Sequence, residues 1–384
     1  MNVISHNIEN NITKDLENKM VFLSGPRQVG KTTLAKKIIS GKKGLYLLYD
    51  ESEDRKNILT KTFLHEKYVC LDEFHKYNRW KGFIKGVYDK YKDSLHVILT
   101  GSARLDVYQK SGDSLFGRYF LYHLHPLTLA ELNSKIITLP EALCEPHSPL
   151  PGIDDLFAFG GFPEPFLRAS EQEHRRWSNQ RRQLLVQEEL RELTHLQLLG
   201  VVENLMLLLP EKIGSVFSYS SLAEDLRVST QTVQNWLAIF EKLYFVFKLK
   251  PYRPRITRSI QKRPKYYLWD WSQLENEGRK FENLVAGHLF KASSLWKDLG
   301  LANAELWYIQ DRSGKEVDFL MTRDNKPWFL VEVKLAEEET SRNLKSFAER
   351  LDVPGIQVIK KPGVCRKSGN MLLVSADRWL GHFA

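Results

Sequence analysis

Met20-Val21-Phe22-Leu23-Ser24-Gly25-Pro26-Arg27-Gln28-Val29-Gly30-Lys31-Thr32-Thr33 decides the fold. An apolar run breaks into G-x-x-x-x-G-K-T and resumes at helical spacing, the order strand, phosphate loop, helix. The two glycines let the backbone coil so that successive N–H groups face a phosphate, and the helix adds the positive end of its dipole. The expected nucleotide contacts are Gly25, Pro26, Arg27, Gln28, Val29, Gly30, Lys31, Thr32 and Thr33. Lys31 would reach the β- and γ-phosphates, and the Thr32 hydroxyl would ligate Mg²⁺, which makes ATP and Mg²⁺ the expected cofactors.

Further along, Thr32 to Ile39 supplies the helix, Gly41 to Gly44 a turn, and Leu45 to Asp50 the next strand. That β-α-β order predicts a parallel sheet. Tyr68-Val69-Cys70-Leu71-Asp72-Glu73 reads as a strand buried on both faces and ending in two carboxylates, a Walker B pattern. At that edge Asp72 is expected in the Mg²⁺ shell, with Glu73 orienting or deprotonating the attacking water. Residues 77–92 place Trp80, Phe83, Ile84, Val87, Tyr88 and Tyr91 on one helical face, which predicts core packing. His96 to Thr100 is another buried strand, and a polar side chain at its end would sit between the first and third strands, beside the γ-phosphate. Its end offers Thr100 or Ser102 as a γ-phosphate sensor, with Ser102 preferred. Arg118 opens a last strand and suits either a finger on the γ-phosphate, in cis or across a subunit boundary, or an ion pair with a nearby carboxylate.

Taken together, G-P-R-Q-V-G-K-T-T, L-D-E at 71–73, T-G-S-A-R at 100–104, and Gly117-Arg118 followed by L-H-P-L-T-L-A-E-L resemble the prokaryotic AAA-type ATPases that end in a domain of unknown function. Phe159-Gly160-Gly161-Phe162-Pro163-Glu164-Pro165 matches that family's glycine-glycine-aromatic-proline turn. The resemblance implies an α/β protein: a P-loop parallel-sheet ATPase core, a helical lid, a winged-helix segment and a C-terminal α/β nuclease-like domain. The expected boundaries are 1–135, 136–209, 210–264 and 265–384.

At 384 residues the chain exceeds what one core usually serves. A net charge of +9 points towards a polyanionic partner such as nucleic acid. The first residues lack a secretory apolar core and no stretch reaches membrane-spanning length, so a cytoplasmic protein with no membrane partner is expected. Cys70, Cys144 and Cys365 have no zinc spacing, and each reads as a buried small side chain.

In the middle of the chain, 171–199 reads as one long helix, basic in its first half through Arg175, Arg176, Arg181 and Arg182, as a solvated face would be. Tyr219 to Leu237 gives two short amphipathic helices around Arg227-Val228-Ser229, capped by Ser220 or Ser221 and by Ser229. That helix-turn-helix pattern would expose Thr230, Gln231, Gln234 and Asn235. The basic segment 248–265 follows, with eight Lys or Arg and no acidic residue. Six phosphate contacts there would give a log-log salt slope of roughly −5. DNA contact competes with a packing or partner role, which leaves room for a protein partner and for a homo-oligomer.

In the last third, Glu282 opens a helix, Glu305 to Gln310 and Glu316 to Met321 form a hairpin, and Trp328 to Lys334 places Glu332 and Lys334 on one face. Glu282, Asp318, Glu332 and Lys334 resemble the PD-(D/E)xK nucleases, in which carboxylates bind Mg²⁺ and the lysine, not itself a ligand, positions water. Val317 stands where many relatives have proline. The leading expectation is a Mg²⁺-dependent ATP-hydrolysing switch acting on nucleic acid or a partner. The alternatives are a nucleotide-gated, metal-dependent nuclease and an ATP-binding scaffold with little turnover.

Overall fold

The structure, a computed structural model, describes residues 6–101, 115–186, 199–252 and 263–383. Ser102, Ala103, Arg104, Glu188, Glu189, Glu192, Arg253, Arg255, Arg258 and Lys262, and with them the preferred sensor, lie outside the described residues. The chain divides into two compact units, 1–125 and 126–384.

Among the described residues the first unit is built on five strands, β1 (Met20–Ser24), β2 (Leu45–Leu48), β3 (Tyr68–Asp72), β4 (His96–Thr100) and β5 (Tyr119–His123), in the order β2-β3-β4-β1-β5. All neighbours are parallel, as the β-α-β order predicts. Strands β1 and β3 are buried along their whole length, because helices cover both faces of a parallel sheet and no side chain reaches water. Strand β4 lies between β1 and β3, so the ends of all three share one edge. The loop after β1 leads into α1 (Lys31–Gly41), which buries Leu34, Ala35, Ile38 and Ile39. In α2 (Trp80–Tyr91), Trp80, Ile84 and Val87 are core, with Phe83, Tyr88 and Tyr91 packed against it. The stripe is packing, as its period predicts.

The division into units falls within the L-H-P-L-T-L-A-E-L stretch, between His125 and Pro126. Leu127 donates its N–H to the Gly161 carbonyl, and the Leu129 N–H donates to His288 Nε2. Gly161 owes its identity to this close approach: a Cβ there would lie 2.7 Å from the Leu127 carbonyl and 2.8 Å from the Trp271 ring. Helix α3 (Glu171–Leu184) is the described part of the expected long helix, and α4 (Leu199–Leu208) follows. Its basic half is only partly a solvated face. Arg175 and Arg176 pair with Glu171 and Glu173, but Arg181 is buried with its guanidinium 4.0 Å over the Phe162 ring.

Helices α5 (Tyr219–Leu226) and α6 (Thr230–Lys242) precede an antiparallel pair, β6 (Val246–Leu249) and β7 (Lys265–Leu268). Ser229 caps α6 as expected, but Ser218, not Ser220 or Ser221, caps α5 by accepting from the Ser221 N–H. A cap must sit one residue outside the helix, and the helix already begins at Tyr219.

A six-stranded sheet in the order β12-β13-β11-β10-β9-β8 completes the unit: β8 (Ala304–Gln310), β9 (Glu316–Arg323), β10 (Lys326–Lys334), β11 (Gly355–Ile359), β12 (Cys365–Ser368) and β13 (Met371–Ser375). Helix α7 (Glu277–Asp298) and helix α8 (Arg342–Leu351) pack on it. Of the cysteines only Cys70 is buried. Cys144 is half-buried and Cys365 is exposed, because β12 is an edge strand with both faces in water.

Candidate nucleotide site

The loop between β1 and α1 needs backbone conformations that side chains resist. Gly25 (φ 144°) and Gly30 (φ 105°) take two of them, and Gln28 (φ 63°) a third. A Cβ on Gly25 would fall 2.2 Å from the Leu124 carbonyl oxygen, so the loop is pressed against the chain leaving β5. Lys31 is buried at the first turn of α1, and its ammonium donates to the carbonyls of Gly25 (2.8 Å) and Pro26 (2.7 Å). The cation therefore lies across the mouth of the loop, beside the helix N-terminus.

Asp72 ends β3, only 2 % exposed. Its carboxylate accepts three hydroxyls: Thr32 Oγ1 at 2.8 Å and the Tyr46 phenol on one oxygen, and Thr100 Oγ1 on the other. Strand register brings them together, since Leu48 of β2 pairs with Asp72, and Leu71 pairs with Leu99 of β4. Tyr46 is the residue the sequence does not announce. The two-residue strand period puts it on the face of Leu48, hence diagonal to Asp72 and within reach of a long aromatic side chain. Burial, then the Asp72 carboxylate, pushes the Tyr46 phenol well above its ordinary range, which keeps it a donor near neutrality.

Glu73 follows in the left-handed region (φ 55°), which turns its side chain out of the strand's alternation. Its Oε2 is buried without a hydrogen-bond partner, 3.7 Å from His75 Nε2 and 3.8 Å from Lys76 Nζ. Burial raises its carboxyl above the usual range, opposed by Lys76, Lys31 and Arg27. A carboxylate made more basic in this way, with an oxygen still unsatisfied, suits a water-activating base. Thr32 and Asp72 offer the hydroxyl and carboxylate that a Mg²⁺ shell uses in P-loop proteins, so the residues present fit that ion. Arg118 Nε donates to Asp89 Oδ1 at 2.6 Å, the ion-pair arrangement that its sequence position left open beside a finger.

The second constellation is also assembled, with an addition. Lys334 Nζ lies 2.9 Å from Glu332 Oε1, and the Val333 N–H donates to Asp318 Oδ2 at 2.8 Å. Burial and then Asp318 push the Glu282 carboxyl up to about 8 and Glu332 up to about 7, so the three carboxyls form one electrostatic group. Lys265, read from the sequence as part of a phosphate-binding arm, instead inserts its ammonium here. It is 2 % exposed, ion-paired with Glu316, and 3.9 Å from Glu282. Among the described residues no group of three or more His, Cys, Asp or Glu is disposed to hold a metal ion.

In the helix-turn-helix, Thr230, Gln231, Gln234 and Asn235 are all exposed. Of the eight basic residues of the segment, Lys265 is buried and ion-paired with Glu316, and Lys248 pairs with Glu241 at 2.9 Å. Lys250 and Arg263 are exposed. Among the described residues no helix is long and apolar enough to cross a membrane.

Residues 17–133 match a family model described as an AAA domain. Residues 151–275 and 277–376 match two domains of unknown function, DUF8612 and DUF4143. The chain is similar to the uncharacterized protein MJ1544 of Methanocaldococcus jannaschii, 24% identical with 91% of this chain and 82% of the relative covered. It is likewise similar to the uncharacterized protein Rv2008c of Mycobacterium tuberculosis, 22% identical with 94% and 81% covered. Among solved structures, the Aeropyrum pernix ORC1 protein in complex with DNA aligns at TM-score 0.34 and 13% identity, over 74% of this chain and 94% of that one. The Thermotoga maritima RuvB Holliday junction branch migration motor aligns at TM-score 0.32 and 17% identity, over 63% and 88%. The family match and the loop geometry agree that residues 17–133 carry a nucleotide-binding P-loop ATPase domain of the AAA type.

Proposed function

We propose that the chain is a Mg²⁺-dependent, ATP-hydrolysing switch whose second unit engages nucleic acid. The observation that carries the hydrolytic part is the buried Asp72 carboxylate held by the Thr32 hydroxyl at 2.8 Å, with the unsatisfied Glu73 oxygen next in the chain. Loop N–H groups and Lys31 bind and orient the phosphates, and Lys31 must exchange the Gly25 and Pro26 carbonyls for phosphate oxygens. Thr32 and Asp72 would hold Mg²⁺, which would supply charge neutralisation to the phosphates when bound. Glu73 takes the proton of the attacking water, and Thr100, fixed on Asp72, stands at the end of β4 as a described polar group facing that region.

Support for the nucleic-acid part is the helix-turn-helix with four polar side chains exposed on α6, followed by the β6–β7 pair in the place of a wing. The test is ATP turnover in wild type, Lys31→Ala and Glu73→Gln, each with and without duplex DNA. Loss of turnover in both variants supports the reading, and equal rates in all three defeat it. A DNA affinity that does not change with salt would point to a protein partner instead.

A further inference from the structure

Four carboxylates meet where helix α7 faces β7, β9 and β10: Glu282, Glu316, Asp318 and Glu332. They resemble a nuclease metal centre in residue type, yet most of their oxygens are already committed. Glu282 Oε1 accepts from the Tyr267 phenol at 2.7 Å, Asp318 Oδ2 from the Val333 N–H, and Glu332 Oε1 from Lys334. Glu316 accepts from Gln310 at 3.2 Å and from the Lys265 ammonium. Buried carboxylates persist only where charge or hydrogen bonds compensate them. Here Lys265 is the compensating group, brought in by the first residue of β7, where its backbone pairs with Leu249 of β6. Its ammonium also sits 5.5 Å over the Tyr308 ring. That Tyr308 phenol donates to the Arg263 carbonyl at 2.6 Å, which anchors the strand entering the cluster.

We propose that Lys265 is the resident cation of this cluster: it occupies the charge position a divalent metal would take, makes the C-terminal carboxylate group metal-independent, and ties the β6–β7 hairpin to the nuclease-like sheet. An ammonium satisfies several oxygens at hydrogen-bond distance, whereas Mg²⁺ needs converging oxygens at about 2.0–2.1 Å in octahedral order. The committed oxygens and the buried lysine oppose that convergence. Glu332 Oε2, buried without a hydrogen-bond partner, is the acceptor left over.

The experiment measures Mn²⁺ binding to the intact nucleotide-free chain by calorimetry and by the paramagnetic resonance of free Mn²⁺. Four proteins are compared: wild type, Asp318→Asn, Lys265→Met, and Lys265→Met with Glu282→Gln. The expected result is no Mn²⁺ equivalent in wild type that Asp318→Asn removes. Lys265→Met should gain one equivalent with at least tenfold tighter binding, and the added Glu282→Gln should abolish the gain. The proposal is overturned if wild type binds an equivalent that Asp318→Asn loses, or if a folded Lys265→Met binds no more than wild type. Should Lys265→Met fail to fold by circular dichroism, the comparison of wild type with Asp318→Asn decides alone. ATP turnover is not a readout, so failure of the switch reading leaves this result standing.

Discussion

Replacing Tyr46 by phenylalanine removes one hydroxyl and little else, since the ring that faces the Lys36 ammonium at 4.3 Å is kept. The lost donor serves the Asp72 oxygen that also accepts from Thr32, so the carboxylate is loosened but not left bare. A hydrogen bond to a charged group is worth about 1.5–3 kcal/mol net, and relief from burying the phenol oxygen returns part of it, leaving about 1–2 kcal/mol. Thr32 is the hydroxyl expected to turn towards Mg²⁺, and Tyr46 and Thr100 are then the donors that hold Asp72 in place. If the whole loss appears in the metal shell, half-maximal turnover needs roughly 5–30-fold more Mg²⁺. The assay is steady-state ATP hydrolysis across a Mg²⁺ titration at saturating ATP. Calorimetric ATP binding in EDTA should be unchanged, because loop amides and Lys31 grip the phosphates without the metal. Superimposable Mg²⁺ curves would reduce Tyr46 to a packing residue, and a lower requirement in the variant would mean that the phenol competes with the ion.

Two further outcomes follow from positions in the second unit. Gly161→Ala brings a Cβ to 2.7 Å from the Leu127 carbonyl and 2.9 Å from Pro126 Cβ, so urea unfolding should register a loss of about 1–3 kcal/mol. An unchanged midpoint would show that the turn gives way freely. Glu282, raised from 4.5 to about 8 by burial and Asp318, holds a proton in the folded chain that the unfolded chain releases. Its contribution to stability is therefore complete below pH 4.5 and is lost as pH rises towards 8. Glu282→Gln cannot ionise and should flatten that decline by on the order of 2–4 kcal/mol between pH 5 and 8.5, read as urea midpoints; parallel slopes would sink the assignment.

What could be read from the sequence was whatever is local. The phosphate loop and the carboxylates ending β3 are each written in a dozen consecutive residues or fewer, and the packing stripe of α2 in one helical period. The hydroxyl cradle of Asp72 depends on β2, β3 and β4 lying side by side in a given register, and register is a tertiary fact, so Tyr46 stayed hidden among strand aromatics. Lys265 was misread for the opposite reason. Its neighbours in sequence are all basic or neutral, so it looks solvated, while its partners Glu282 and Glu316 come from a later helix and strand. The helix-turn-helix lay between these cases: both helices and the Ser229 cap were legible, but the first cap was displaced to Ser218.

The two carboxylate centres differ in what compensates them, and that difference governs which can do metal chemistry. Asp72 is satisfied by neutral hydroxyls, each of which can rotate away at a cost of about 1.5–3 kcal/mol and leave an oxygen for a metal-bound water. The Glu282 cluster is satisfied by an ammonium buried at 2 % exposure, and withdrawing one member of such a pair costs about 3–5 kcal/mol because the other charge is left uncompensated. A divalent ion can enter the first centre by displacing weak donors, but it must evict a cation from the second. Residue type alone makes the two look alike, and the identity of the donors tells them apart.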